Sequence, residues 1–509
     1  MLLDRESCHR AVESADARFD GVFFVGITTT TIYCRPICPA RRTLPKNRRY
    51  FSSAAAAERA GFRPCLRCRP ELAPGRARID AVPRLAEAAA QRIAAGALNG
   101  NGLDRLARDL GVSGRQLRRA MQQELGVSPI ELAQTHRLLL AKQLLTETRL
   151  PMTRVADASG FQSVRRFNAL FRERYRLNPE SLRRHSRSDV ATNRAPAARS
   201  SRSNGASHAT IIGSEPREPN LRLTLAYRPP LAWGALLAFL AGRATPGVER
   251  ISSGTWARAV RIDDRTGVIR VREPDRGSTQ AGHAVVVLEA DAVLAPALMP
   301  LCARVKHLFD LVAEPNAIES HLTRAGFGRI GRAARGLRVP GAWDGFELAL
   351  RAILGQQVSV AGATTLMGRL TATFGEPLSG VEGGFTHLAP TAARLADAGA
   401  DAIRRIGLPA ARAETIHALS RLVADGSLSF EADSDVRSLM RRLTDIRGIG
   451  PWTAEYIAMR ALHWPDAFPA SDLMLRRSAG GLSTARLTRL AESWRPWRSY
   501  AAMHLWHRS

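Results

Sequence analysis

Four of the six cysteines fall in two close pairs, Cys34-x3-Cys38 in TTIYCRPICPARR and Cys65-x2-Cys68 in GFRPCLRCRPE. Whatever joins these pairs forces the first seventy or so residues to close on themselves. Two disulfides or one metal would each satisfy the spacing. The first residues, MLLDRESCHR, carry no basic-then-apolar leader, and the apolar run ALLAFLAG is far too short to span a bilayer. The expectation is a cytoplasmic protein without a membrane partner, where thiols stay reduced and clustered cysteines bind metal. Four thiolates are the set that a closed tetrahedral Zn(2+) site takes, and on spacing alone such a site could serve folding only.

Charge narrows the partner. The chain has 509 residues and a net charge of +28, carried by arginine, since Lys46, Lys142 and Lys306 are its only lysines. A GC-rich genome explains arginine over lysine but not the net excess. The excess suits a polyanion, and DNA or RNA is the polyanion expected, with a nucleoid-associated location.

The next segment, residues 79–185, is helical and contains a repeat. LARDLGVSGRQLRRAMQQELGVSP is echoed about fifty residues later by VADASGFQSVRRFNALFRERYRLNP. In the first copy Leu103, Leu106, Ala107 and Leu110 form a helical stripe, Gly111 permits a turn and Ser113 can cap the next helix. Val155, Ala156, Gly160 and Ser163 repeat the pattern, and a helical stretch from Glu131 to Leu145 joins the two copies. Each copy has the logic of a helix-turn-helix. Arg115, Gln116, Arg118 and Arg119 in one, and Gln162, Arg165, Arg166 and Asn168 in the other, are placed to reach base edges and phosphates in a major groove.

Residues 186–219 are rich in Ser, Ala, Arg, Asn and Gly with almost no large apolar side chain, which predicts a flexible linker and two halves that move independently. Residues 220–292 then offer strand-like stretches (LRLTLAYRP, WARAVRID, GVIRVRE, HAVVVLEA) with one helix, WGALLAFLAG, and 293–509 are mostly helical. In LTDIRGIGPWTAEYIAMRALHWPDAFPASDLMLRR, Gly448-Ile449-Gly450 is a tight turn whose bare amides can approach a phosphate, and Pro451 suits the first position of the next helix. This reads as a helix-hairpin-helix. Asp472 follows about twenty residues on; after Ser471 it could equally be a surface helix cap.

Three resemblances organise these segments. TTTTIYCRPICPARRTLPKNRRYF with RAGFRPCLRCRPE, covering most of residues 1–75, resembles the amino-terminal domain of the Ada adaptive-response family. That resemblance implies zinc held by Cys34, Cys38, Cys65 and Cys68, with Cys34 also the acceptor of a methyl group from a DNA methylphosphotriester. The helical repeat resembles the AraC-type DNA-binding domain, which implies transcription activation with RNA polymerase as a partner. The second half, from LRLTLAYRPPLAWGALLAFLAGRA through RAILGQQVSVAGATTL to PWRSYAAMHLWH, resembles AlkA, the 3-methyladenine DNA glycosylase family. It implies Asp472 as the catalytic carboxylate, Phe239, Trp452, Tyr456 and Trp506 as the lining of a base pocket, and Gln357, Gly448 and Gly450 against DNA.

The departures carry expectations of their own. Ada proteins end in a guanine-methyl transferase with a Pro-Cys-His-Arg motif, which does not occur after the linker; SCHR at Ser7 to Arg10 is a fragment out of context, and no O6-methylguanine repair is expected. Trp452 stands where bifunctional glycosylases keep a Schiff-base lysine, and Lys306 is the only lysine after the linker, so base release without strand cleavage is expected. Gln357 replaces an intercalating leucine, and His507 stands where a tyrosine is expected. Cys302 is the only cysteine of this half and reads as core. The fold expected is multidomain and mainly α with α+β parts: a small zinc-binding α+β domain, a double helix-turn-helix, an AlkA-type α+β domain and a helix-hairpin-helix glycosylase domain. The function expected is methylphosphotriester-triggered transcription activation joined to excision of alkylated bases. The rival is a damage-responsive regulator with structural zinc and a catalytically weak glycosylase half.

Overall fold

The computed structural model describes residues 4–40, 43–74, 85–184, 221–275, 284–379, 383–430 and 436–508. The segment read as a linker, 186–219, lies outside the described residues. The expected succession of small α+β unit, helical pair of repeats, α+β unit and helical unit is what the chain builds.

Near the amino terminus a four-stranded sheet runs in the order Arg48–Phe51, Phe24–Ile27, Ile32–Cys34 and Arg63–Pro64, the last pairing in parallel. The hairpin register sets Cys34 opposite Val25 at the strand end. Gly26 lies under Phe51 and Phe62, and a Cβ there would stand 2.6 Å from the Phe51 ring, so only glycine lets the rings close on the sheet.

In the helical segment the two repeats fold as their caps predict. Ser113 accepts from the Gln116 N–H at the start of Gly114–Leu125, and Ser163 accepts from Arg166 N–H at the start of Val164–Tyr175. Gly111 and Gly160 take the positive φ (68° and 85°) that each turn needs. The connecting helix is longer than the sequence stripe suggested, Pro129–Glu147, because Ser128 and Glu131 form a capping box around Pro129.

The second half opens with a five-stranded antiparallel sheet, in the order Leu221–Ala226, Val285–Ala290, Arg265–Arg272, Thr255–Ile262 and Glu249–Ser252. The last of these, with alternating half-buried and exposed residues, has too little apolar sequence to have been read as a strand. The helix Trp233–Ala241 contributes Trp233, Leu236, Leu237 and Leu240 to the core beneath the sheet. Helix Leu298–Leu308 adds Leu298, Leu301, Val305 and Leu308 to the same core, and the helices from Pro315–Arg324 to Arg498–Arg508 close around a second one. No helix among the described residues is long and apolar enough to cross a membrane.

The expectation that the two halves move independently is corrected by their packing. Leu138 and Leu144 of the connecting helix and Val155, Phe167 and Phe171 of the second repeat belong to one buried cluster with Leu223, Leu225, Trp256, Leu294 and Leu298 of the second half. Polar bonds cross the same boundary. Glu147 accepts from the Thr224 N–H (2.9 Å) and Oγ1 (2.6 Å), Gln143 donates to the Thr224 carbonyl (2.8 Å), and Arg228 donates to the Asp20 carbonyl (2.6 Å). Composition of the connecting segment reports on the connection alone; the apolar faces on either side of it decide whether the halves separate, and these faces cover each other.

Candidate metal centre and candidate active site

The strand Ile32–Cys34 delivers Cys34, the turn after it Cys38, and the loop after Arg63–Pro64 delivers Cys65 and Cys68. Their sulfur atoms all lie within 4.8 Å of one another, against about 3.8 Å between thiolates around one tetrahedral zinc. All six cysteines are free, so the disulfide alternative has no support. Cys65 and Cys68 are buried, whereas Cys34 and Cys38 are half-buried. Hydrogen bonding with Cys38, Cys65 and Cys68 pushes the Cys34 thiol well up, and the same contacts hold Cys65 well down. Such a set shares protons among its sulfurs, and a dication is what would let all four ionise.

Backbone and side-chain donors hold the centre from below. Arg35 N–H donates to Cys68 Sγ at 3.4 Å and Cys68 N–H to Cys65 Sγ at 3.5 Å. The buried Arg35 guanidinium reaches the Cys68 carbonyl (3.1 Å) and pairs with buried Asp20. Cys8 of the SCHR fragment is buried in the helix Arg5–Glu13, with its thiol pushed up to about 11 by burial, remote in character from a nucleophile.

In the helix-turn-helix segment Arg115, Arg118 and Arg119, and Gln162, Arg165 and Arg166, are exposed, and Asn168 is half-buried. Gln116 is exposed too, but its Oε1 accepts from Ser113 N–H (2.9 Å) and Ser113 Oγ (3.0 Å). It works as the return half of a capping box, a role that the Ser-x-x-Gln spacing signals.

The second site gathers around Asp472. Gly450 caps the helix Pro451–Ala461, and Gly448 takes φ 93° against Thr415, with both glycines exposed at the hairpin. Asp472 caps Leu473–Ser478, its Oδ1 accepting from the Met474 and Leu475 N–H groups (2.9 and 3.0 Å). The helix-cap reading therefore holds, and the same carboxylate meets two indoles. Trp506 Nε1–H donates to the same Oδ1 at 3.1 Å and Trp452 Nε1–H to Oδ2 at 3.0 Å, so two indoles from separate helices fix the carboxylate plane.

The four aromatics named from the sequence come together here. Trp452 and Tyr456 are stacked at 5.4 Å, Trp506 meets Tyr456 edge-on at 6.2 Å, and Phe239 lies 6.4 Å from Trp506. Two arginines were missed. Arg243 places its guanidinium carbon 3.7 Å from the centre of the Phe239 ring, and buried Arg460 donates to the Tyr456 hydroxyl at 2.8 Å. Burial pushes the Tyr456 hydroxyl up, but Arg460, Arg243 and Arg351 more than offset this and leave it below its usual value. The signal was present, since each arginine stands four residues after the ring it covers.

Lys306 sits elsewhere, half-buried near Cys302, with its ammonium pushed down by desolvation. Cys302 packs on the core shared by the two halves, its thiol pushed up to about 11 by burial. His507 is exposed near the end of the helix Arg498–Arg508. Gln357 is exposed at the tip of the loop between Gly345–Leu354 and Val360–Phe374, with φ 57°.

Four family models match the chain: the metal binding domain of Ada over residues 7–71, a helix-turn-helix domain over 106–185, the AlkA N-terminal domain over 222–344, and the HhH-GPD superfamily of base excision DNA repair proteins over 350–492. A probable bifunctional transcriptional activator/DNA repair enzyme AlkA of Mycobacterium tuberculosis is 40% identical over 99% of this chain and 96% of its own length. The chain belongs to this family. The family's two components are also visible singly. DNA-3-methyladenine glycosylase 2 of Escherichia coli is 37% identical over 56% of this chain and 96% of its own. The bifunctional activator and repair enzyme Ada of the same organism is 45% identical over 13% of this chain and 18% of its own. With the Ada metal-binding model spanning the four cysteines, their cluster is the zinc site of this Ada/AlkA-type protein.

Proposed function

We propose that the protein senses DNA alkylation with its first half and repairs it with its second. Zinc held by Cys34, Cys38, Cys65 and Cys68 would keep the four sulfurs ionised and nucleophilic at neutral pH. Cys34, half-buried at the end of its strand, is the acceptor: a carbon–sulfur bond forms as the methyl carbon leaves its phosphate oxygen, and that oxygen takes the electron pair as an ordinary diester anion. A methylphosphotriester is neutral, so the anionic cluster does not repel it as it repels normal phosphate. Once Cys34 is a thioether the cluster has lost one negative charge, DNA binding strengthens, and the arginines of the two recognition helices engage an operator beside RNA polymerase.

In the second half the flipped base stands among Phe239, Trp452, Tyr456 and Trp506, and Asp472 faces its sugar. The cationic base departs with the electrons of the glycosidic bond, Asp472 stabilises the oxocarbenium ion that is left, and water adds at the anomeric carbon. With an indole where a lysine would attack, the product is an abasic site on an intact strand. The observation that carries this reading is Asp472 itself, fixed through both oxygens inside the aromatic cage that follows the hairpin.

Single substitutions test the scheme. Asp472→Asn abolishes base release and spares methyl transfer, and Cys34→Ala does the reverse; loss of both activities from either one refutes two separate centres. Trapping of a protein–DNA adduct by borohydride on an intact lesion contradicts the hydrolytic assignment.

A further inference from the structure

Four buried arginines run in file from the cysteine cluster to the aromatic cage, and what they imply rests on the glycosylase reading above. Arg35 donates to the Cys68 carbonyl (3.1 Å) and pairs with Asp20. The Asp20 carbonyl accepts from Arg228 (2.6 Å), which also donates to the Val312 carbonyl (2.7 Å). The Arg228 carbonyl accepts in turn from Arg338, which holds the Pro230 and Ala313 carbonyls as well (3.2 and 3.0 Å). Just beyond Arg338, the Pro340 and Gly341 carbonyls accept from Arg460 (2.8 and 2.9 Å), whose Nη1 meets the Tyr456 hydroxyl (2.8 Å).

Burial pushes the Arg228 and Arg338 guanidinia down, and nearby Glu314 and Asp310 do not make up the loss. Cations buried at such a cost, with their forks on main-chain carbonyls, fix the positions of the segments they bridge. Those segments belong to the cage. Pro230 lies just before the helix Trp233–Ala241, which carries Phe239, and it is pressed on Gly336, where a Cβ would stand 2.6 Å from the Pro230 carbonyl. Ala232 N–H donates to the Gly336 carbonyl at 3.1 Å and closes the same corner. On the other side Arg460 sets Tyr456, which stacks on Trp452, whose indole holds Asp472. The first half enters this file through the Asp20 carbonyl. Zinc on Cys34 and Cys68 would steady Arg35, which follows one and bonds the other, and with it Asp20.

We propose that Arg228 and Arg338 are positioning residues for the base cage, and that the zinc module, docked through Asp20, completes their hold. The two centres are then thermodynamically linked. A lesion gripped by the cage favours the docked module, and the docked module favours zinc.

The test is the zinc affinity of the full-length protein, read by competition with a chelating dye, with either a duplex carrying a pyrrolidine abasic mimic or the undamaged duplex present. The native protein holds zinc about tenfold more tightly with the pyrrolidine duplex, near the lower end of couplings between separate sites. Arg228→Lys keeps the buried cation but not the fork, and it holds zinc equally with both duplexes. Linkage is reciprocal, so stripping zinc lowers the native protein's preference for the pyrrolidine duplex by the same factor and leaves that of Arg228→Lys unchanged. Zinc affinity that ignores a lesion the native protein does bind, or a lesion effect retained in full by Arg228→Lys, overturns the inference. Failure of the glycosylase reading is a different result: pyrrolidine duplexes bound no better than undamaged DNA.

Discussion

Lys142→Met is the substitution whose outcome follows most directly from the packing of the two halves. Lys142 Nζ lies 2.5 Å from Glu71 Oε2, with the two side chains 1% and 2% exposed. Burial raises the Glu71 carboxyl, and Lys142 and Arg69 more than reverse this, so it is ionised and paired in the folded chain. Removing one partner of a buried pair costs about 3–5 kcal/mol. Arg69 remains 3.1 Å from Glu71, so the lower end applies, about 3 kcal/mol. With a urea slope of about 3 kcal/mol per molar, the midpoint of unfolding falls by about 1 M. The assay has a built-in separation, because all eight tryptophans, from Trp233 to Trp506, lie in the second half, whereas Lys142 and Glu71 lie in the first. Arg69 passes the network to Glu147, and Glu147 to Thr224 of the second-half sheet. Tryptophan fluorescence and zinc release therefore shift together by about 1 M, and adding Glu71→Leu restores most of the loss. A fluorescence midpoint that stays in place while zinc release moves would refute the shared core.

Other outcomes follow from single contacts. Trp452→Phe keeps the ring stacked on Tyr456 but removes the N–H from Asp472, and single-turnover base release falls about 10²-fold with DNA affinity unchanged. Gln116→Ala weakens the first recognition helix by about 1 kcal/mol in thermal unfolding without changing operator sequence preference, whereas Arg118→Ala lowers the salt dependence of DNA binding. Glu58 is buried under Tyr33 and Thr135, and burial raises its carboxyl to about 7 despite their hydrogen bonds and nearby Arg174. The folded state holds this proton more tightly than the unfolded one, so the contribution is full below about pH 4.5 and is lost as pH rises to about 7, a change of about 3 kcal/mol. Glu58→Gln flattens this slope of stability against pH.

Much of this was legible because local chemistry wrote it. Caps at Ser113 and Ser163, the turns at Gly111 and Gly160, and the two cysteine pairs each declare themselves within a few residues. The aromatic cage around Asp472 was reached by resemblance, with the spacing of hairpin and Asp472 as its guide. What escaped depends on faces that meet only in three dimensions. Nothing in the composition of residues 186–219 reveals that Phe171 and Leu294 share a core. Gln116 was read as a base contact because its exposure is real, while its capping bond, a local signal, competes for the same amide. Arg243 and Arg460 escaped as well, although each stands four residues after the ring it covers.

The fate of a labelled methyl group tests the coupling of sensor and glycosylase most directly. Duplex DNA alkylated with a labelled methyl donor is incubated with the protein, and the label is divided among protein, free base and residual DNA. The expected result is label on Cys34 and, in the same reaction, released 3-methyladenine. Label that stays wholly in the DNA, or that leaves it without reaching Cys34, contradicts the pairing of sensor and glycosylase in one chain.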